Sequence, residues 1–345
     1  KGNSGAECQT IEKRQGGKRK ERMITIKEIA EQLGVSPTTV SNVLNGRAGK
    51  MSAETRRKVE EALVSNHYVH EKKNKEGEKE RKPIAVYVCI GDGEHVLTDP
   101  FCGSFLEGID HELRKYGRDM ICGTVASNEE FEERLKNGYL EGAILLGCEP
   151  PYCEKLVRRV RKPIVFVDSG EGDYDNIGLQ DKEGAYELTS YLIRQGHEKI
   201  AFFCDQKFPI ASNMQRWIGF QQAMERFGKS FSGEDYYYLP MEEFLRHEIL
   251  RQFAKKSRAE GYTADLLANE GISIFFSQGL QVPEDLSVTG FDDNIYARLS
   301  RPSLTTVRQN PEKKGREAVR LLMKRIYGEE VLVNSIQFST ELIVR

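Results

Sequence analysis

MITIKEIAEQLGVSPTTVSNVLNG, residues 23–46, is the stretch whose reading decides the fold of this chain. Ile26, Ile29, Ala30 and Leu33 recur at the three- and four-residue spacing of an amphipathic helix. Gly34-Val35 supplies a turn. Ser36 then suits an N-cap, and Pro37 suits the first helical position, where its missing N–H costs nothing. The second helix is expected to run to Asn45, with Gly46 closing it. On it Val40, Val43 and Leu44 share one face, while Thr38, Ser41, Asn42 and Asn45 hold the opposite one. A third helix is predicted from Ser52 in SAETRRKVEEAL, with Val59, Ala62 and Leu63 completing a small core. Small hydroxyls and amides on an exposed helix can enter a major groove and bond base edges and phosphates. The alternative is a three-helix bundle with no nucleic-acid role. The coincidence of turn, cap and polar face favours a helix-turn-helix.

Charge supports a division of labour. Residues 1–82 carry 19 Lys and Arg against 12 Asp and Glu, although the whole chain nets −2. A basic head on an acidic body suits a polyanion partner for the head alone, although a solvated basic tail would look the same. At 345 residues, with 39% hydrophobic and 30% charged, the chain should hold two or three units with sizeable cores. No apolar run is long enough to span a bilayer, and the N-terminus lacks the apolar stretch of a secretory signal, so the cytoplasm is expected.

Working outward, residues 1–22 have almost no apolar content and read as a disordered basic extension, either translated upstream sequence ahead of Met23 or a phosphate-binding arm. Residues 23–70 form the DNA-binding unit, and residues 71–82, nearly all charged, form a linker. Over residues 83–345, apolar runs (IAVYVCI 84–90, GAILLG 142–147, PIVFVD 163–168, IAFFCD 200–205, LSVTGF 286–291) alternate with helical stretches near 101–116, 152–161 and 181–195. That alternation predicts an α/β body of doubly wound parallel sheets, and its length predicts two lobes. Ligands of such sheets bind beyond the carboxyl ends of the strands, which two facing lobes turn into a cleft.

The seven cysteines form no CxxC pair and read as buried reduced thiols rather than a disulfide framework or a zinc site. The six histidines show no metal spacing, no cofactor is implied, and no catalytic motif sits in a convincing context, so an enzyme is not expected.

The stretch 23–46 and the SAETRRKVEEAL after it resemble the lactose repressor (LacI/GalR-type) family. DPFCGSFLEGID (99–110), ELTSYLIRQGHEKIAFF (187–203), QRWIGFQQAM (215–224), GLQVPEDLSVTGFDD (279–293) and PSLTTVRQNPEKKG (302–315) extend the likeness across the body. The resemblance implies a helix-turn-helix headpiece joined to a two-lobed, periplasmic-binding-protein-like body. It also implies a homodimeric repressor on double-stranded operator DNA, gated by a sugar or related metabolite. Carried over position by position, it makes Pro37, Thr38 and Asn42 base readers and puts Thr39 and Ser41 on the DNA backbone. Thr25, Ser36 and Asn45 complete the expected DNA-facing set. In the cleft it makes Arg216 the ligand-gripping arginine and Asp292 an acceptor of ligand hydroxyls, with a surface ion pair and a loop cap as the respective alternatives. Phe101 is expected to pack on a ligand or in the core, and Trp217 in the core rather than on a ligand.

Two departures from the family matter. TADLLANE (263–270) reads as a strand, which places Asn269 at the polar pocket position and leaves the next helix a turn short; ungapped counting puts Asp265 there instead. A shortened helix would fit a vestigial cleft, with control by a phosphoprotein co-regulator; a solute-binding protein or sugar-handling enzyme is a more remote alternative. The linker VHEKKNKEGEKERK also lacks the Ala and Leu of the family's DNA-kinking hinge helix and offers only charge. Operator binding is therefore expected to bend DNA less and to weaken more steeply with salt than is usual in the family. Bending measured on a bound operator checks this, and a sharp kink at the site centre would contradict it.

Overall fold

The computed structural model describes residues 25–44, 51–65, 81–89, 97, 99–125, 127–136, 138–256, 264–329 and 335–345. The expected extension 1–22, most of the linker and Asn45 lie outside them. The chain divides into two compact units, 1–79 and 80–345.

In the first unit, α1 (Ile26–Leu33), α2 (Pro37–Leu44) and α3 (Ala53–Ser65) follow the predicted pattern. Thr25 caps α1 through a reciprocal box: the Glu28 N–H donates to the Thr25 hydroxyl at 3.3 Å, and the Thr25 N–H donates to the Glu28 carboxylate at 2.7 Å. Gly34, at φ +63°, takes the left-handed conformation that ends α1, and the Val35 N–H returns to the Ala30 carbonyl at 3.0 Å. Ser36 caps α2, accepting from the Thr39 N–H at 3.1 Å. Ile29, Ala30, Val40 and Val59 are fully buried, with Ala62 and Leu63 packed against them.

The second unit has two lobes. Lobe 1 is a parallel six-stranded sheet ordered β10-β5-β4-β3-β1-β2. Its strands are β1 (Ile84–Cys89), β2 (Met120–Val125), β3 (Gly142–Leu146), β4 (Ile164–Val167), β5 (Asn176–Leu179) and β10 (Ser335–Phe338). Alternate residues of β1 serve opposite faces. Ile84, Val86 and Val88 pack with α4 (Pro100–Lys115) and α12 (Pro311–Ile326), while Ala85 and Tyr87 pack with α5 (Asn128–Lys136) and α6 (Pro150–Arg159). Burial on both faces explains why these strands read as continuous apolar runs.

Lobe 2 holds α7 (Asp181–Arg194), α8 (Ala211–Arg226), α9 (Glu243–Lys256), α10 (Asp265–Ser277) and α11 (Ile295–Leu299). They surround the parallel pair β6 (Phe202–Cys204) and β7 (Tyr236–Tyr238), and the sheet β11-β9-β8 built from Glu341–Ile343, Thr305–Arg308 and Thr289–Asp292. In that sheet β8 and β9 are parallel and β11 is antiparallel. The chain passes between lobes three times, at β5 to α7, β9 to α12 and β10 to β11. Among the described residues no helix is long and apolar enough to cross a membrane.

Two expectations are corrected. TADLLANE is not a strand: Asp265 opens α10, which runs a full 13 residues, so the supposed truncation disappears. The apolar spacing of that stretch also fits a helix, and Asp265 at its first turn suits the positive end of the helix dipole. The reduced-thiol reading fails for one pair. Cys89 and Cys148 are disulfide-bonded, because the ends of neighbouring strands β1 and β3 bring their Cα atoms to 5.4 Å. Cys102, Cys153 and Cys204 are free and buried, and Cys122 is free but exposed. The C-terminal segment supplies one strand to each lobe, β10 to lobe 1 and β11 to lobe 2.

Helices α4 and α12 meet through glycines. A Cβ at Gly108 would overlap the Glu312 carbonyl, and one at Gly315 would overlap the Phe105 carbonyl. Gly315→Ala is therefore expected to cost about 1–3 kcal/mol in a denaturant titration. Gly103→Ala in the same helix α4, where nothing lies within 4 Å, should be neutral or stabilising by up to about 1 kcal/mol. Equal effects at the two positions would refute the close-approach explanation.

Candidate functional site

The second helix of the first unit presents its start to solvent. Ser36, Pro37 and Thr38 are exposed, Thr39, Ser41 and Asn42 are half-buried, and Val40 is buried as the anchor. The hydroxyls divide by task. Ser36 is committed to its cap, with its Oγ also 2.9 Å from the Thr39 hydroxyl, and Thr25 is committed to the cap of α1. Thr38 and Asn42 sit four residues apart on one helical stripe, with Pro37 beside Thr38 at the exposed tip.

In the second unit, the crossings between lobes carry a buried polar clasp. Lys314, only 1% exposed, donates to both Asp168 carboxylate oxygens at 2.7 and 2.8 Å and to the Gln309 side-chain amide oxygen at 2.7 Å. The ammonium is thus paired with one carboxylate and one neutral amide oxygen. Gln309 passes the chain on, its amide donating to Asp292 at 2.5 Å. The line Asp168–Lys314–Gln309–Asp292 thus runs from the end of β4 in lobe 1, past the β9–α12 crossing, to the end of β8 in lobe 2. Beside it Arg216 of α8 donates to Asp181, the first residue of α7, at 2.8 Å, and its guanidinium lies 3.7 Å from the Phe291 ring centroid. Burial works against the charge of Arg216, but Asp181 and Asp292 outweigh it and raise its pKa.

The expected pocket residues are only partly brought together. Arg216 and Asp292 feel each other's charge, and Phe101 lies near the clasp with its ring 5.4 Å from the Lys314 ammonium. Phe101 and Asp292 line one cavity of about 440 Å³ with Pro100, Ser104, Asn294 and Gln309. That volume suits a small metabolite. Burial pushes the Asp292 carboxyl well up, opposed by Arg216. Asn269 lies in the middle of α10, half-buried and outside the lining of this cavity, so its assignment loses the strand on which it rested. Asp265 is the acidic residue of α10 whose charge reaches Asp292. It is buried at the start of α10, accepts from the Thr306 hydroxyl at 2.6 Å and the Asn294 N–H at 2.8 Å, and burial raises it to about 7. Trp217 packs among Phe202, Phe220, Phe231 and Tyr236 within lobe 2, as expected.

The backbone marks the same place. Asp168 (φ +52°), Asp292 (φ +120°) and Asp293 (φ +54°) are left-handed non-glycine residues at the carboxyl ends of β4 and β8. Such strain concentrates where a fold holds functional groups in position. Sequence reading missed Lys314, Asp168, Gln309 and Asp181. Asp168 ends PIVFVD just as Asp292 ends its own strand, which was a usable signal. Lys314, in PEKKGRE, looked like any solvated lysine.

Comparison with known proteins agrees with this geometry. Residues 25–70 match the profile of bacterial regulatory proteins of the lacI family. Residues 95–236 match periplasmic binding proteins and the sugar binding domain of that family, and residues 189–345 match a periplasmic binding protein-like domain. The chain is 27% identical over 342 residues to the transcriptional repressor CytR of Escherichia coli K12, covering 95% of this chain and 97% of that protein. It is 28% identical over 347 residues to the repressor PurR of Haemophilus influenzae, covering 94% and 98%. The lac repressor dimer bound to operator and an anti-inducer shares the fold, with a TM-score of 0.70 at 21% identity over 94% of this chain and 98% of that one.

Removing one member of a buried ion pair strands the other, at about 3–5 kcal/mol, whereas removing both is far cheaper. Lys314→Met should therefore lower unfolding free energy by about that amount in urea, and adding Asp168→Asn should recover most of it. A Lys314→Met protein within about 1 kcal/mol of the parent would mean that the clasp is not a stabilising element.

Proposed function

The chain belongs to the LacI family of bacterial regulatory proteins, and from that premise we propose a sequence-specific DNA-binding transcription repressor whose grip on its operator is set by a small molecule. Residues 23–70 act as the DNA reader, 71–82 as the linker and 83–345 as the ligand-binding and dimerising body. The reading is carried by the exposed Pro37-Thr38 tip of a doubly capped helix-turn-helix in the same chain as a hinged, two-lobed body.

Pro37, Thr38 and Asn42 contact base edges, while Thr39 and Ser41 hold phosphates. A homodimer places two such helices on the half-sites of a near-palindromic operator. Phe276 (77% exposed) on α10 and Leu299 (63% exposed) on α11 offer apolar surface that a second copy would cover. The ligand, a sugar or related metabolite, lies between the lobes near Asp292, Arg216 and Phe101. Its hydroxyls compete with the Gln309 amide for Asp292, so binding loosens or re-forms the clasp and shifts lobe closure. Coupling of this kind is worth about 1–3 kcal/mol of DNA affinity. The full length of α10 removes the feature that suggested a vestigial cleft. Such a regulator acts in the cytoplasm, where the DNA is, and no catalytic role is assigned to it.

Capture of genomic fragments by the full chain, followed by anisotropy on the recovered sites, tests the reading. Asn42→Ala should weaken specific binding by about 1–3 kcal/mol and relax sequence preference, while Thr39→Ala should weaken specific and random DNA alike. Retention of no particular sequence would overturn the assignment.

A further inference from the structure

The body holds more Asp and Glu than Lys and Arg, yet KLVRRVRK, residues 155–162, carries five cations and no acid. The stretch closes α6 and leads into β4, so it lies at the amino edge of the lobe 1 sheet. Backbone bonds line up the neighbouring strand entries along that edge. The Ala143 N–H donates to the Pro163 carbonyl at 3.0 Å, and the Glu141 N–H donates to the Pro83 carbonyl at 3.1 Å. Arg81 and Lys82 therefore join the same edge, where the chain enters β1. Arg81 donates to the Tyr116 carbonyl at 3.1 Å and Lys82 to the Gly138 carbonyl at 2.6 Å. Arg81, Lys82 and Arg161 are exposed and carry no ion pair among the described residues.

The carboxylates at this edge are outnumbered. Glu132 of α5 is shared by Lys136 at 3.4 Å, Arg159 at 3.4 Å and Lys155 at 3.9 Å. Glu154 pairs with Arg158 at 3.5 Å, and Arg118 holds Glu141. Glu133 of α5 and Asp119 before β2 are exposed without ion pairs among the described residues, and cations remain in excess. Cations in a last helical turn answer the helix dipole, which accounts for Arg158 and Arg159. It does not account for Arg161 and Lys162 beyond the end of α6, nor for Arg81 and Lys82 at another strand. Lys162 is half-buried, and burial and the nearby Lys82 charge hold its amine below the usual lysine range. Stability alone would separate two such cations, whereas a polyanion would hold them together.

We propose that the amino edge of the lobe 1 sheet is a second DNA-contacting surface, one that takes backbone phosphates and reads no bases. The inference rests on the first unit being a DNA reader, as proposed above, and adds a site on the body. Lys82 belongs to this edge, and the stretch 66–82 that joins it to α3 spans at most about 60 Å. DNA held by α2 is thereby presented to the edge at a high effective concentration, an advantage that an untethered acidic partner lacks. Lysines and arginines placed on phosphates release counterions, so the edge strengthens binding most at low salt.

Anisotropy of the full chain across a salt series tests it, on a recovered operator duplex and on a random duplex of equal length. Arg158→Gln combined with Arg161→Gln should flatten the slope of log affinity against log salt by about 1–2 on both duplexes. Near 0.1 M salt both affinities should fall about tenfold or more, with the operator-to-random ratio unchanged, because phosphates carry no sequence. Lys207→Gln combined with Arg226→Gln removes two exposed cations of lobe 2 and should leave the slope within about 0.3 of the parent. Thermal midpoints of both variants should match the parent, since all four residues are exposed. If the Arg158 and Arg161 variant does not fold, Lys82→Gln carries the same prediction with a slope change of about 1. An unchanged slope in the lobe 1 variant, an equal fall in the lobe 2 variant or a loss confined to the operator duplex would overturn the inference. Each of these would leave the DNA-reading assignment standing. A parent chain that binds neither duplex would overturn that assignment, and this inference with it.

Discussion

A lysine ammonium buried away from water must be met by a counter-charge and hydrogen-bond acceptors, and the body of this protein is arranged around meeting one. Lys314 needs Asp168 from the end of β4 and Gln309 from the crossing into α12, so its burial fixes how the first lobe and the hinge are joined. Gln309 in turn holds Asp292, which brings the second lobe into the same arrangement. The desolvation cost of a buried ion is several kcal/mol and is recovered only by good geometry. Polar hinges of this kind can exist in two states. Any group that outcompetes one bond leaves its neighbours to re-pair, and sub-ångström changes become lobe movements. The apolar cores of the two lobes supply stability but have no comparable reason to switch.

The headpiece solves a simpler problem. Its three helices bury few side chains, so each cap carries weight. Thr25, Gly34 and Ser36 account for the ends of α1 and the start of α2 with backbone-directed bonds. Spending Thr25 and Ser36 on caps leaves Pro37 and Thr38 at the exposed tip of α2 outside those capping bonds.

Much of this was legible in the sequence because it rests on local rules. The spacing of Ile26, Ile29, Ala30 and Leu33, the Gly34 turn and the Ser36-Pro37 start each act over a few residues, and the helices fall where those rules put them. Parallel strands buried on both faces announce themselves as IAVYVC or IVFV. What failed was the stretch where local pattern is ambiguous. TADLLANE carries apolar residues that suit a strand or a helix, and Asp265, bonded to Thr306 and Asn294 far along the chain, fixes it as a helix start. The clasp was illegible for the same reason. Lys314 and Asp168 lie 146 residues apart, and nothing near Lys314 in PEKKGRE distinguishes it from its solvated neighbours. The residues at the carboxyl ends of the strands are easier, since the ends of strands are visible as the ends of apolar runs.

The three passages between lobes also govern how the molecule is made. Lobe 1 begins at β1, yet its sheet is closed by β10 and one face of its core by α12, both encoded after nearly the whole of lobe 2. A chain leaving the ribosome can complete the DNA-reading unit early from purely local contacts, but the body must wait for its last residues. A nascent or prematurely ended chain would therefore carry a finished reader and an unfinished sensor. During every round of synthesis there is an interval in which the protein has the means to find DNA but no means to be told to let go.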